Sequence, residues 1–482
     1  MNKKVVKNYI YNTLYQVLLL VAPLITTPYV SRVLGVTNIS IYNYAQSITT
    51  YFVLVGVVGT GLYGQREIAY LQRKPKERSK TFWEIEIFRM TSALFFAVVY
   101  FCIFCINGKY SVVYSILTLE IIAAAFDISW LFMGMEDFRV TVIRNMIIKI
   151  SGIVLIFALV KSKEDLILFT ICITVPALIA NISLWFNAPK YIEKIKIERG
   201  ELINGIKKRI RPIFVLFLPQ IARDVYLVLD KTMIGLLSSN IDHVGYYSQA
   251  QKIVKLTMAL ATSLGAVMLP AMSACFAKGD KEGIVENIKT SFRFIYMLSI
   301  ALMFGICAIA HHFTPVFFGE GYDPVSMLMI VISPIIVIIA TSNVVGTQYL
   351  LPTKQQKYFT ISIIAGASVN LCLNSLLIPK YDAIGASVAT VIAELTVTAV
   401  QCVYVRKQLP IKDFLLSGLR YVLFGAIMMI AVRYIGTFVP KTVIGVVVMI
   451  LFGGIVYLIE LIITKDPMIK MGKNLFKKAD NR

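Results

Sequence analysis

Six basic side chains lie inside or at the ends of stretches that are otherwise apolar: Arg32, Arg89, Lys149, Arg223, Lys252 and Lys255. A cation in such a setting is either neutralised structurally by a carboxylate, or it lines a watered cavity and contacts an anion. At about 1.5 Å of rise per residue, Arg89 lies roughly 10 Å from the nearer end of its stretch. Lys149 and Lys252 lie deeper, and Arg223 and Lys255 are near the middle. Lys252 and Lys255 share a helix face, so if one lines a cavity the other should too. Arg32, and with it Arg66, is also open to snorkelling from a helix end. Asp127 and Arg144 are almost equally far from a turn near Glu136, which predicts a structural ion pair. The same counting matches Asp230 with Lys252, and Glu120 with Lys149 only loosely. Glu84 and Glu86 stand close to Arg89.

A second constellation supplies oxygen atoms: Asp224 and Asp230, Asn370 and Asn374 one turn apart, and Thr390 and Glu394 one turn apart. Asp230, Asn370 and Thr390 fall at comparable depth, and carboxylate, amide and hydroxyl oxygens suit a hard cation. The same asparagines and threonine also suit interhelical hydrogen bonding, and Glu394 alone suits a proton. His243, His311 and His312 have no cysteine or acidic partner at zinc spacing, so neither a metal centre nor another cofactor is expected. Gly59 to Gly64 matches a dinucleotide pattern, but it closes an apolar helix instead of a strand-to-helix turn. Gly56, Thr60 and Gly64, at intervals of four, instead form a small-residue face for close helix packing.

The elements that must position these groups are membrane-spanning helices. The 482 residues are 57% hydrophobic and only 16% charged, and about fourteen apolar stretches each reach the roughly twenty residues that a crossing requires. They predict helices at 9–31, 41–64, 82–106, 110–133, 138–160, 164–187, 212–238, 243–270, 288–312, 324–350, 355–379, 382–405, 411–435 and 440–464. The fold class is therefore an all-α polytopic membrane protein. The net charge of +21 follows topology: about 33 Lys and Arg lie in alternate connections and the termini, against about 7 in the others. That bias puts both termini in the cytoplasm, and without a basic and aromatic module it argues against nucleic acid. The first stretch lacks a small-x-small cleavage site and reads as a retained anchor. The seven cysteines read as reduced packing residues.

A charged break at 188–211 separates a six-helix lobe (1–187) from a second (212–406), followed by helices 13 and 14 (407–464) and a basic tail (465–482). Ser31-Arg32-Val33-Leu34-Gly35 and Tyr42 to Ile48 are faintly echoed by Lys231-Thr232-Met233-Ile234-Gly235 and Tyr246 to Ile253. Such parallel repeats suit two lobes that rock about a central site.

Arg32-Val33-Leu34-Gly35 followed by Tyr42-Asn43-Tyr44-Ala45-Gln46-Ser47-Ile48, Gly64-Gln65-Arg66-Glu67-Ile68-Ala69, Asp127 to Phe138, Leu229 to Gly235, Phe318 to Tyr322, Gln348 to Pro352 and Pro379 to Thr390 resemble the polysaccharide-synthesis (Wzx-type) flippases in order and spacing. The resemblance covers essentially the whole chain and implies the multidrug, oligosaccharidyl-lipid and polysaccharide exporter superfamily. Its implied substrate is an oligosaccharide on undecaprenyl pyrophosphate in the bacterial cytoplasmic membrane, moved from the inner to the outer leaflet by alternating access. The six cations then become candidate pyrophosphate contacts. Related flippases place sodium among helices 7, 11 and 12, which implies a sodium ion or proton at the oxygen constellation. Membrane lipids, a polysaccharide polymerase and glycosyltransferases are the implied partners. The alternatives within the superfamily are a lipid II flippase or a drug exporter. A membrane polysaccharide polymerase is the alternative outside it, although the longest outer connection, 311–323, is short for such an enzyme.

Overall fold

The computed structural model describes residues 3–106, 108–262 and 264–469, with side chains described except at 3–14, 218, 219, 222, 223, 264–267 and 269–271. The described residues contain α, 3-10 and π helix and no strand. They form two compact units, Met1–Thr232 and Met233–Arg482. Among the described residues, ten helical stretches are long and apolar enough to cross a membrane. The chain is thus a multi-pass membrane protein, as its composition predicts.

Unit 1 begins with α1 (Lys3–Val57), α2 (Thr60–Tyr70), α3 (Pro75–Tyr100), α4 (Ser111–Ala125) and α5 (Ser129–Gly134). It continues through α6 (Phe138–Leu159) and α7 (Leu166–Ser183) into α8 (Arg199–Leu237), which carries the boundary between the units. A straight helix of the 55 residues of α1 would run about 80 Å, against a hydrocarbon slab of about 30 Å. The chain breaks it at Gly35, whose φ of 74° and ψ of 175° cost a side-chain-free residue little. The nine-residue connection expected at 32–40 is therefore compressed to one residue. Both limbs beside the break are anchored to the chain following α6: Tyr29 Oη donates to the Val160 carbonyl at 2.6 Å, and Asn38 Nδ2 to the Lys163 carbonyl at 2.7 Å.

The small-residue face closes as expected. A Cβ on Gly56 would lie 3.2 Å from Ala93 Cα, Thr60 is fully buried, and a Cβ on Gly64 would fall 2.4 Å from Trp130 Cε3. Gly134 meets Ile68 in the same interface, so the Gly64-to-Ala69 and Asp127-to-Phe138 segments pack on each other. Gly64→Ala should therefore destabilise the protein by about 1–3 kcal/mol through overpacking. Its thermal midpoint in detergent should fall, with part recovered in Gly64→Ala/Trp130→Leu. An unchanged midpoint would show that the ring has room to move.

Unit 2 comprises α9 (Asp242–Thr262), α10 (Leu264–Lys278), α11 (Lys281–Phe318), α12 (Asp323–Ile332), α13 (Ile335–Ser342), α14 (Gln356–Val405), α15 (Ile411–Leu416), α16 (Leu419–Gly436) and α17 (Val443–Ile463). A π-helical segment, Asn343–Leu350, follows α13. α14 folds back at Asp382 (φ 49°, ψ −130°), a conformation that is strained for a side-chain-bearing residue. The carboxylate compensates by accepting from Ser239 N at 2.8 Å and Ser239 Oγ at 3.1 Å, with His243 Nε2 3.5 Å away. His243 therefore has an acidic neighbour that its sequence spacing does not reveal, 139 positions further on in the chain. The two limbs of α14 run antiparallel, because Gly366 abuts Ala393 and Val397 while Gly385 abuts Leu377. α16 and α17 pack on α11, with Gly425 against the Phe304 ring and Tyr457 Oη donating to the Met297 carbonyl at 2.7 Å. The seven cysteines are free thiols.

Candidate functional site

In unit 1 the C-terminal end of α4 leaves carbonyls without intrahelical donors, and three polar side chains cover them. Asn181 donates to Ala123 at 2.7 Å, Arg89 Nε to Ala124 at 2.9 Å and Trp185 Nε1 to Phe126 at 3.0 Å. Arg89 spends its Nη1 on Thr60 Oγ1 at 3.3 Å and is only 5% exposed. Although its depth suggested a cavity cation, it is here a strut joining α2, α3 and α4. Arg144 Nη1 donates to Asp127 Oδ1 at 2.9 Å and to Asn181 Oδ1 at 3.0 Å, while its other nitrogens bond Asn145. Asp127 also accepts from Ser129 N at the start of α5, so this ion pair fixes the entry of that helix. Glu86, fully buried one turn before Arg89, has no hydrogen-bond partner for either oxygen among the described residues.

Lys149 differs from both arginines. Glu120, its loosely matched partner, accepts instead from Gln46 Nε2 at 2.7 Å. Lys149 is exposed and has neither a hydrogen-bond nor an ion-pair partner among the described residues. It stands eleven residues into α6, about 16 Å by helical rise. A lysine at that depth costs about 2.5–3.5 kcal/mol or more if it faces lipid.

Sequence reasoning missed a further cluster that joins α8 to α3. Arg209 Nε donates to Glu84 Oε2 at 2.7 Å, Nη2 to Thr81 Oγ1 at 2.9 Å and Nη1 to Tyr63 Oη at 3.3 Å, with Glu67 at 3.7 Å. Glu84 is 2% exposed. Gly205 makes room for it, since a Cβ there would lie 2.0 Å from Glu84 Oε1. Lys80 pairs with Glu201 alongside. Only the alternation of Lys, Glu and Ile across 188–211 hinted that this break is more than a tether.

In unit 2 the antiparallel limbs of α14 bring Asn370 to the level of Thr390, because Gly366 pairs with Ala393 and Gly385 with Leu377. Asn374 Nδ2 donates to Asn370 Oδ1 at 3.1 Å, and both asparagines are fully buried. Thr390 Oγ1 lies 3.0 Å from Tyr247 Oη, which accepts from Gln251 Nε2 at 3.0 Å. A buried polar chain thus crosses from α9 to α14. Tyr247 and Gln251 were not singled out from sequence, where they belong to the echoed Tyr246-to-Ile253 segment. Glu394 is half-buried one turn beyond Thr390.

The remaining predicted residues differ in exposure. Arg32 is exposed, Asp224, Lys252 and Lys255 are half-buried, and Asp230 is 4% exposed. The Arg223 side chain lies outside the described residues. Asp224 and Asp230 fall in unit 1, whereas Lys252, Lys255, Asn370, Asn374, Thr390 and Glu394 fall in unit 2. Among the described residues no three His, Cys, Asp or Glu side chains converge as a metal centre.

Apolar spans carrying buried ion pairs, an exposed lysine midway along α6 and a buried chain of amides and hydroxyls form the architecture of a membrane transporter. The chain belongs to the polysaccharide biosynthesis protein family, which it matches over residues 5–276. It is 23% identical over 405 residues to a candidate O-antigen transporter of Escherichia coli (strain K12), spanning 83% of this chain and 96% of that one. A candidate low-salt glycan biosynthesis flippase of Haloferax volcanii is 24% identical over 238 residues, 48% of this chain and 49% of its own length. The fold is that of a solved lipid II flippase in an inward closed conformation, with a TM-score of 0.74 at 17% identity over 96% of this chain and all of the other.

Proposed function

We propose that the protein is a flippase that carries undecaprenyl-pyrophosphate-linked oligosaccharide repeat units from the inner to the outer leaflet for polysaccharide export. The observation that supports this most is the near-full-length similarity to a candidate O-antigen transporter, within a family of polysaccharide biosynthesis proteins. The chemistry is compatible with it. Pyrophosphate crossing an apolar slab needs cations facing water, and the exposed Lys149 is the first candidate to supply one, with Lys252, Lys255, Arg32 and Arg223 as further contacts. Arg89 and Arg144 hold the bundle together and are left out of the transport path. Glycosyltransferases that build the repeat unit and a polymerase that consumes it would work beside the flippase.

We further propose that an ion gradient drives the cycle through Asp224, Asp230, Asn370, Asn374, Thr390 and Glu394. One charge moving down 100 mV supplies about 2.3 kcal/mol, enough to bias two states a few kcal/mol apart. Proteoliposomes holding a defined lipid-linked oligosaccharide test both statements. Wild type should flip faster under a sodium or a proton gradient, and Glu394→Gln should lose that acceleration while keeping the ungraded rate. Equal rates with and without gradients would mark an uncoupled facilitator, and no flipping under any condition would refute the substrate.

A further inference from the structure

Three connections that the sequence marks as basic converge in unit 2: the turn from α10 into α11, the residues between the π segment and α14, and the chain after α14. Between them lies a cavity of about 500 Å³. Lys281 and Lys407 line it; both are exposed, and neither has an ion-pair or hydrogen-bond partner among the described residues. Among the described residues no carboxylate lines it. Asp280, beside Lys281, is turned back onto its own helix, where it caps α11 by accepting from Gly283 N at 2.8 Å.

The remaining wall is polar and already ordered. Tyr349 Oη and Gln355 Nε2 both donate to Gln408 Oε1 at 2.8 Å, Gln355 Nε2 also reaches Thr353 Oγ1 at 3.0 Å, and Gln408 Nε2 returns to Gln355 Oε1 at 3.1 Å. Tyr349 is 7% exposed, so its packing holds the wall in place. Lys354 sits between Thr353 and Gln355 with φ at 61°, a strained backbone for a lysine and one that shapes this wall. Ile284 and Leu409, both buried, make the floor apolar.

We infer that this cavity is a binding site for a phosphate group carried on a partly apolar ligand, lined by none of the cations proposed above to contact the transported pyrophosphate. Two unpaired ammonium groups, set beside an internally bonded amide and hydroxyl network and with no acid among the described lining residues, suit a phosphate diester or pyrophosphate. A neutral sugar would instead call for carboxylates to accept its hydroxyl protons. The apolar floor at a basic end of the bundle suits the headgroup of an anionic lipid, and free pyrophosphate shares the same chemistry.

The purified full-length protein, titrated with short-chain phosphatidylglycerol, phosphatidylcholine or inorganic pyrophosphate and read by ligand-bound native mass spectra, separates these sources. Lys281→Gln/Lys407→Gln should bind the preferred phosphate ligand about tenfold more weakly or worse. Lys380→Gln/Lys441→Gln, which removes the same charge from other exposed positions, should bind as wild type does. Loss confined to phosphatidylglycerol assigns a lipid headgroup, and loss confined to pyrophosphate assigns a soluble ligand in the same pocket. Equal binding of phosphatidylcholine and phosphatidylglycerol with no pyrophosphate binding, an unaffected Lys281/Lys407 variant, or an equal loss in the control pair would overturn the site. Thermal midpoints without ligand, equal across variants, guard against misfolding.

Discussion

Arg209→Ala should remove most of the folded protein from the membrane. Glu84 is 2% exposed and takes its 2.7 Å ion pair from Arg209 alone among the described residues. Deleting the cation strands a buried carboxylate, at a cost of about 3–5 kcal/mol, comparable to a large part of a domain's stability. The contact joins positions 125 residues apart and ties α8 to α3, so its loss should loosen the whole entry to α8. Glu84→Leu/Arg209→Met, which replaces the pair with apolar groups of similar size, should be closer to wild type than either single change. Monodisperse yield and thermal midpoint in detergent measure this. Wild-type values for Arg209→Ala would mean that Glu84 is rehydrated without cost and the pair is not structural.

Lys149→Ala should have the opposite profile, with folding preserved and transport lost. No partner is left behind, because Lys149 makes no hydrogen bond or ion pair among the described residues. A charged hydrogen bond to pyrophosphate contributes about 1.5–3 kcal/mol, so flipping at subsaturating substrate should fall roughly 10- to 100-fold. Lys149→Arg, which keeps the charge, should retain most of the rate. The measurement is the initial flipping rate in proteoliposomes at matched protein density, and an undiminished rate for Lys149→Ala would remove Lys149 from the substrate path. Together the two variants separate cations that hold the bundle from those that serve the cargo.

The motifs that carried the family resemblance turn out to be largely packing devices. Gly64 and Gly134 are small because Trp130 and Ile68 press on them, and Asp127 opens α5 by accepting from Ser129 and pairing with Arg144. The Asp127–Arg144 contact was readable because an antiparallel pair about one short turn makes equal distances from that turn meet. Glu84–Arg209 was not readable by that rule, since its partners sit on helices that are not sequence neighbours. The bonds of Arg89 were not readable for a related reason: depth says how costly a cation is, but not that a helix end will supply a carbonyl to receive it.

Length and apolarity alone determined that this chain crosses a membrane many times, because the bilayer imposes a fixed thickness and demands internal backbone hydrogen bonds. The order of short motifs likewise pointed to the polysaccharide biosynthesis family without any coordinates. Only the tertiary structure decided which charges are spent and which are open. A charge inside the bilayer is governed by the groups within about 4 Å of it. Those groups come from helices brought together by folding, as Ala124 is for Arg89 and Gln46 for Glu120.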